Sequence, residues 1–138
     1  LIKRYANGIK VISQPCPGLV ELVEAGEIDG EKVDQRLKLY LDSLIEENVD
    51  TVVLGCTHYP FLNPVIRQIV GDEVKVIDTG EAVSKWVGQV LNNEDLNTSH
   101  INPGTERFYT TGEPEKVQRV ITKLWNSSRH VTVKHAVV

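Results

Sequence analysis

No methionine occurs among the 138 residues, and only two cysteines do. A translated chain opens on methionine whereas this one opens on Leu1, so it is expected to be a piece of a longer protein or one whose start is not included. Cys16 and Cys56 are too few to staple a disulfide scaffold, and in a reducing compartment both are expected to be free thiols. There is no CxxC pair, no HExxH and no GxxxxGK[ST], and His58, His100, His130 and His135 lack ligand spacing, so no metal site is expected. No apolar run approaches the roughly 18 residues of a membrane span. Nor does a charged stretch followed by an apolar one open the chain as an export signal would. The expected compartment is therefore the cytoplasm, with no membrane partner. A basic excess is also missing: 15 Lys and Arg stand against 19 Asp and Glu, a net charge of -4, so nothing in the balance attracts nucleic acid.

What is present suits one soluble domain or two small ones sharing a core, with 41% hydrophobic and 25% charged residues. "IKVISQPCP" (9–17) alternates β-branched residues and stops at Pro-Cys-Pro, predicting a short strand and its exit loop. "EKVDQRLKLYLDSLIEEN" (31–48) repeats apolar positions at Val33, Leu37, Tyr40, Leu41 and Leu44, the three-and-four spacing of an amphipathic helix. "VDTVVLGC" (49–56) is a continuous apolar run, as expected of a parallel strand covered on both faces. Asn63 then Pro64 predicts a helix start with Asn63 as N-cap, and Gly71 its end. "EVKVIDTG" predicts another strand and "EAVSKWVGQVLNNED" a helix with Ala82, Val83, Trp86, Val87 and Val90 on one side. "ERFYTTG" and "EPEKVQRVITKLW" repeat the strand–helix unit, and "RHVTVKHAVV" supplies a last strand. Alternating strands and helices predict an α/β fold with a mostly parallel sheet.

In open α/β sheets ligands collect at the carboxyl ends of strands, which is where Gly55 to Pro60 falls. Gly55 permits a sharp turn and close ligand approach. Cys56 lies just past the buried run, Thr57 brings a hydroxyl and an N–H suited to a carboxylate, and His58 can favour a neighbouring thiolate. Free cysteine is also among the most buried residue types, so packing and reactivity are both open for Cys56.

"VVLGCTHYPFL" (52–62) resembles the second-cysteine signature of the glutamate racemases, in the cofactor-independent aspartate/glutamate racemase superfamily. The likeness extends to "PCPGLVELVEAG" (15–26), "VIDTGEAV" (76–83) and "FYTTGEPEKV" (108–117). The family's N-terminal Asp-Ser pair and its first catalytic cysteine, in a Cys-Asn-Thr stretch, have no counterpart here.

The resemblance implies two similar α/β domains of three-layer, parallel-sheet units, with the active site between them and only part of each present. Residues 1–79 would be the later part of the second domain, and 80–138 the returning part of the first. It also implies L- to D-glutamate interconversion by two thiols acting on opposite faces of Cα, for peptidoglycan synthesis. No cofactor is needed, glutamate is the small-molecule partner, and a homodimer is allowed. Cys56 would be the second catalytic thiol, His58 the histidine that assists it, Glu24 a carboxylate implicated in proton transfer, and Thr57 a substrate-binding residue. A racemase for aspartate or another acidic amino acid, or a non-catalytic α/β ligand-binding module, are the alternatives.

Each assignment has a plainer counterpart. Glu24 alone would be an exposed helix-start carboxylate, and Cys16, between prolines, a structural residue. Asp78 and Thr79 suit a helix cap, His130 and His135 suit solvated positions beside an edge strand, and Trp86 and Trp125 suit core packing.

Overall fold

In the computed structural model, which describes residues 8–98, 105–125 and 131–137, the helical periodicities of the sequence become helices. Helix α1 (Leu19–Glu24) follows Gly18, whose φ of 89° places it in the left-handed region that favours glycine. Helix α2 (Glu31–Glu46) turns Val33, Leu37, Tyr40 and Leu41 inward, with the first two 0% and 1% exposed. It ends where Asn48 adopts a φ of 54°. There the Asn48 and Val49 amides donate to the Ile45 and Leu44 carbonyls, capping the orphan carbonyls of the last turn. The Tyr40 hydroxyl donates to the Pro17 carbonyl at 2.6 Å and ties α2 to the Pro-Cys-Pro loop.

Strand β1 (Thr51–Val53) leads into a 3-10 turn (Tyr59–Leu62) and helix α3 (Asn63–Val70). Strand β2 (Lys75–Ile77) pairs parallel to β1, with Val52 beside Val76 and Val53 beside Ile77. Helix α4 (Gly80–Asn93), strand β3 (Phe108–Thr110), helix α5 (Pro114–Leu124) and strand β4 (Val133–His135) follow. β3 and β4 form a second parallel pair. The chain is thus α/β with parallel strands. Its core joins Leu19, Leu22 and Val23 of α1 to the buried face of α2, Leu54, Leu62, Ile66 and Val76.

Several local expectations are corrected. The 9–17 stretch is not a strand: Ile9, Val11 and Ile12 are 66%, 48% and 37% exposed, and among the described residues no neighbouring edge accepts their backbone groups. β1 is covered on one face rather than two. Val76 is buried on the core side, whereas Val53 and Ile77, paired on the other side, are 63% and 36% exposed. Asn63 is not an N-cap, because the 3-10 turn runs directly into α3 and Leu62 holds the cap position. Its side chain instead accepts from Arg67 Nε at 3.1 Å.

Asp78 does cap, accepting the Gly80 amide at 2.9 Å, while Thr79 makes no side-chain cap bond. Trp86 and Trp125 are not core residues but 67% and 51% exposed, Trp125 meeting Phe108 edge-on at 5.5 Å. Helical periodicity reports which residues share a face; it does not supply the neighbour that buries it. His135 is exposed as expected, its Nδ1 lying 3.2 Å from the Gly112 carbonyl. His100 and His130 lie outside the described residues.

Candidate active site at the end of strand β1

Leu54 continues the β1 ladder by donating to the Ile77 carbonyl at 2.8 Å and is itself buried. The backbone then leaves the sheet through Gly55, so Cys56 emerges at the strand's carboxyl end. Gly55 does not have a left-handed φ, and a Cβ built there meets nothing within 4 Å. The turn itself therefore does not require glycine; what Gly55 leaves is open space beside the thiol. Cys56 and His58 are held by the turn that follows, where Tyr59 N–H donates to the Cys56 carbonyl and Phe61 N–H to that of His58, both at 3.2 Å.

His58 sits at the centre of the cluster. Its Nδ1 lies 3.8 Å from Cys56 Sγ and 3.5 Å from Thr57 Oγ1. Its Nε2 lies 3.5 Å from Glu24 Oε1. A carboxylate on Nε2 favours the proton there and leaves Nδ1 able to accept from the thiol or the hydroxyl. The imidazole can thereby relay a proton between Sγ and the Glu24 side. Cys56 is half-buried, and the His58 and Glu24 side chains are 33% and 65% exposed, so water competes for the outer half of the relay. Glu24 closes α1 rather than opening a helix, as its plain reading had it, although it is exposed as that reading expected.

The four sequence-predicted residues Glu24, Cys56, Thr57 and His58 are therefore neighbours, although Glu24 is 32 positions from Cys56 in the chain. Three of them, Glu24, Thr57 and His58, line a cleft of about 680 Å³, and Cys56 is not among its lining residues. The opposite wall was not anticipated as part of the site. It is the amphipathic face of α5, with Lys116 beside the apolar Val117, Val120 and Ile121. The three-and-four spacing of those residues was legible as a helix face, but not the surface it would oppose. α5 lies close to the loop after α1. Gly26, at a φ of +76°, presents to Val120 a position where a Cβ would sit 3.7 Å away, and Lys123 Nζ reaches Asp29 at 3.8 Å.

Cys16 stands apart from this relay. Its Sγ donates to the Gln14 carbonyl at 3.3 Å, it packs partly against the core, and burial pushes its thiol pKa up. The Tyr59 hydroxyl lies 3.5 Å from the Cys16 carbonyl, and its pKa is raised chiefly by burial. Among the described residues no group of three or more His, Cys, Asp or Glu side chains is placed to hold a metal ion.

Residues 2–85 match the family model of the Asp/Glu/hydantoin racemases. The chain is 44% identical over 131 residues to a glutamate racemase of Pseudomonas putida, covering 95% of this chain and 49% of that protein. It is 38% identical over 128 residues to a glutamate racemase of Stutzerimonas stutzeri, covering 93% of this chain and 48% of that one. Among solved structures it resembles glutamate racemase isoform RacE1 of Bacillus anthracis, with a TM-score of 0.83 at 28% identity over 99% of this chain and 50% of that one. It likewise resembles the Francisella tularensis glutamate racemase in complex with D-glutamate, with a TM-score of 0.82 at 31% identity and the same coverage. The chain thus spans about half the length of the relatives it matches. No helix among the described residues is long and apolar enough to cross a membrane.

Proposed function

Since the chain belongs to the Asp/Glu/hydantoin racemase family, we propose that it carries one of the two proton-transfer faces of a cofactor-independent glutamate racemase, with Cys56 as the reacting thiol. The observation that carries the reading is the relay itself: Cys56 Sγ 3.8 Å from His58 Nδ1, and His58 Nε2 3.5 Å from Glu24. Inverting an α-carbon requires removing its proton on one face and returning one on the other. On this face the Cys56 thiolate takes the Cα proton and becomes the thiol, or, in the reverse direction, the thiol delivers its proton to the Cα carbanion and is left as thiolate. The opposite group is the family's first cysteine, which lies outside this sequence.

His58 holds the proton that Cys56 sheds before it acts as base, and Glu24 orients the imidazole by accepting from Nε2. The Thr57 hydroxyl and amide bind a substrate carboxylate. Neither pyridoxal phosphate nor a metal takes part in this scheme. Glutamate is preferred over aspartate on the strength of the relatives' named activity. D-glutamate would feed peptidoglycan synthesis in the bacterial cytoplasm, with a homodimer allowed. Residues 1–79 would belong to one α/β domain and 80–138 to the other. The grouping of the main core within residues 19–76 and of the second strand pair within 108–135 supports that division.

Cys56→Ser in the assembled two-cysteine enzyme tests the assignment. A serine hydroxyl is far too weak an acid to stand in for the thiol. Racemisation should fall by on the order of a thousandfold, within the range a positioned acid–base group contributes. Exchange of Cα–H for deuterium from the enantiomer served by the other cysteine should persist. Racemisation within a few-fold of wild type would sink the proposal.

A further inference from the structure

The two ends of the relay belong to segments far apart in the chain. Cys56 and His58 ride on the turn after β1, whereas Glu24 is the last residue of α1. Helix α1 does not place a carboxylate by its own stability. It has six residues, and its N-cap Gly18 makes no side-chain cap bond. An isolated helix is marginal even at roughly 12 to 15 residues. Glu24 also sits at the carboxyl end, where the backbone carbonyls disfavour a negative charge. Leu19, Leu22 and Val23 bury the apolar side of α1. Burial is non-directional, however, and does not fix a helix along its axis as closely as a hydrogen bond at its end requires.

Directional contacts converge instead on the loop just before α1. From α2, the buried Tyr40 donates its hydroxyl to the Pro17 carbonyl at 2.6 Å. One turn earlier on the same face, the Arg36 guanidinium lies over Gly18, where a Cβ would sit 3.5 Å from Cζ. From the turn after β1, the Tyr59 hydroxyl donates to the Cys16 carbonyl at 3.5 Å, a long and weaker bond. That same carbonyl accepts the Leu19 amide, the first of α1, at 3.4 Å. Tyr59 is the residue after His58, and its own amide donates to the Cys56 carbonyl. One residue thereby joins the turn that carries thiol and imidazole to the point from which α1 starts.

We infer that Tyr40 and Tyr59 are positioning residues of the racemase: they clamp the loop before α1 and so hold Glu24 at His58 Nε2. The inference rests on the Cys56–His58–Glu24 relay proposed above. Both tyrosines act through Glu24, and Cys16 contributes its backbone carbonyl and not its thiol.

The test places Tyr40→Phe and Tyr59→Phe in the assembled two-cysteine enzyme, each alone and combined with Glu24→Gln. Phenylalanine keeps the ring packing and removes only the hydroxyl. Tyr40→Phe, which loses the shorter bond, should lower kcat about two- to fivefold with KM unchanged, and Tyr59→Phe should lower it less. Once Glu24→Gln is present, neither should add more than about 1.5-fold, since residues acting through one group are not additive. The His58 ring nitrogens are followed by nitrogen NMR and assigned by their loss in His58→Asn. They should move away from the Nε2-protonated tautomer in Tyr40→Phe and in Glu24→Gln alike.

An unchanged kcat in Tyr40→Phe, a raised KM, or losses that multiply with that of Glu24→Gln would overturn the inference. So would a urea midpoint that falls while the His58 nitrogens stay unmoved, the mark of a tyrosine that only stabilises the fold. Cys56→Ser is assayed separately. If it still racemises while the tyrosine variants shift the His58 nitrogens as Glu24→Gln does, the clamp stands and the functional proposal falls.

Discussion

The Glu24→Gln substitution separates two roles that a carboxylate at this position could have. In the structure Glu24 meets the relay at His58 Nε2, at 3.5 Å, and the two side chains are 65% and 33% exposed. Two unit charges at that distance attract by about 1.2 kcal/mol in bulk water. Mutual exposure and salt reduce the net worth of such pairs to about 0.2–1 kcal/mol. If Glu24 works by orienting and partly neutralising the imidazole, kcat/KM of the assembled enzyme should fall no more than about fivefold, since about 1.4 kcal/mol corresponds to tenfold. The loss should also depend on salt. Wild type should approach the variant as ionic strength rises from 0.01 M to 1 M, because the Debye length shrinks from about 30 Å to about 3 Å. The measurement is racemisation by circular dichroism in both directions, at several salt concentrations. A fall of more than about a hundredfold, unmoved by salt, would refute the reasoning and make Glu24 a proton donor or acceptor in direct contact with substrate.

Cys16→Ser should leave turnover within about twofold and lower stability by on the order of 1 kcal/mol, read from urea midpoints; a selective loss of activity in a folded variant would make Cys16 part of the site. Because burial raises the Cys16 pKa in the folded chain, its contribution to stability is full below the ordinary thiol value and is lost as pH rises through the folded one. Wild type should therefore weaken at alkaline pH more steeply than Cys16→Ser, and thiol alkylation should find Cys16 slower at pH 8 than a free peptide thiol. Leu37→Ala, at a position 1% exposed, should cost about 2–5 kcal/mol; a cost below about 1 kcal/mol in thermal or urea unfolding would mean that the α2 face is not the core described.

Local and periodic properties were settled by the sequence alone. The spacing of Val33, Leu37, Tyr40 and Leu41 dictates which side of α2 can be apolar whatever it meets. Pro64 and Gly71 bound α3 through their own backbone preferences, and "GCTHYP" sets Cys56 and His58 two residues apart on one turn. The strand–helix alternation was enough for the α/β class. Tertiary structure alone decided what each face meets. Glu24 joins His58 because α1 packs against the turn after β1, a contact across more than thirty residues that no local pattern encodes. Lys116 and the apolar face of α5 become a cleft wall only through their approach to the Gly26 loop. The same distinction accounts for Trp86 and the 9–17 stretch: both carry the pattern of a buried element and both are exposed. A pattern describes the side chains of one segment, whereas burial and strand pairing belong to two surfaces at once, and among the described residues the second surface is missing.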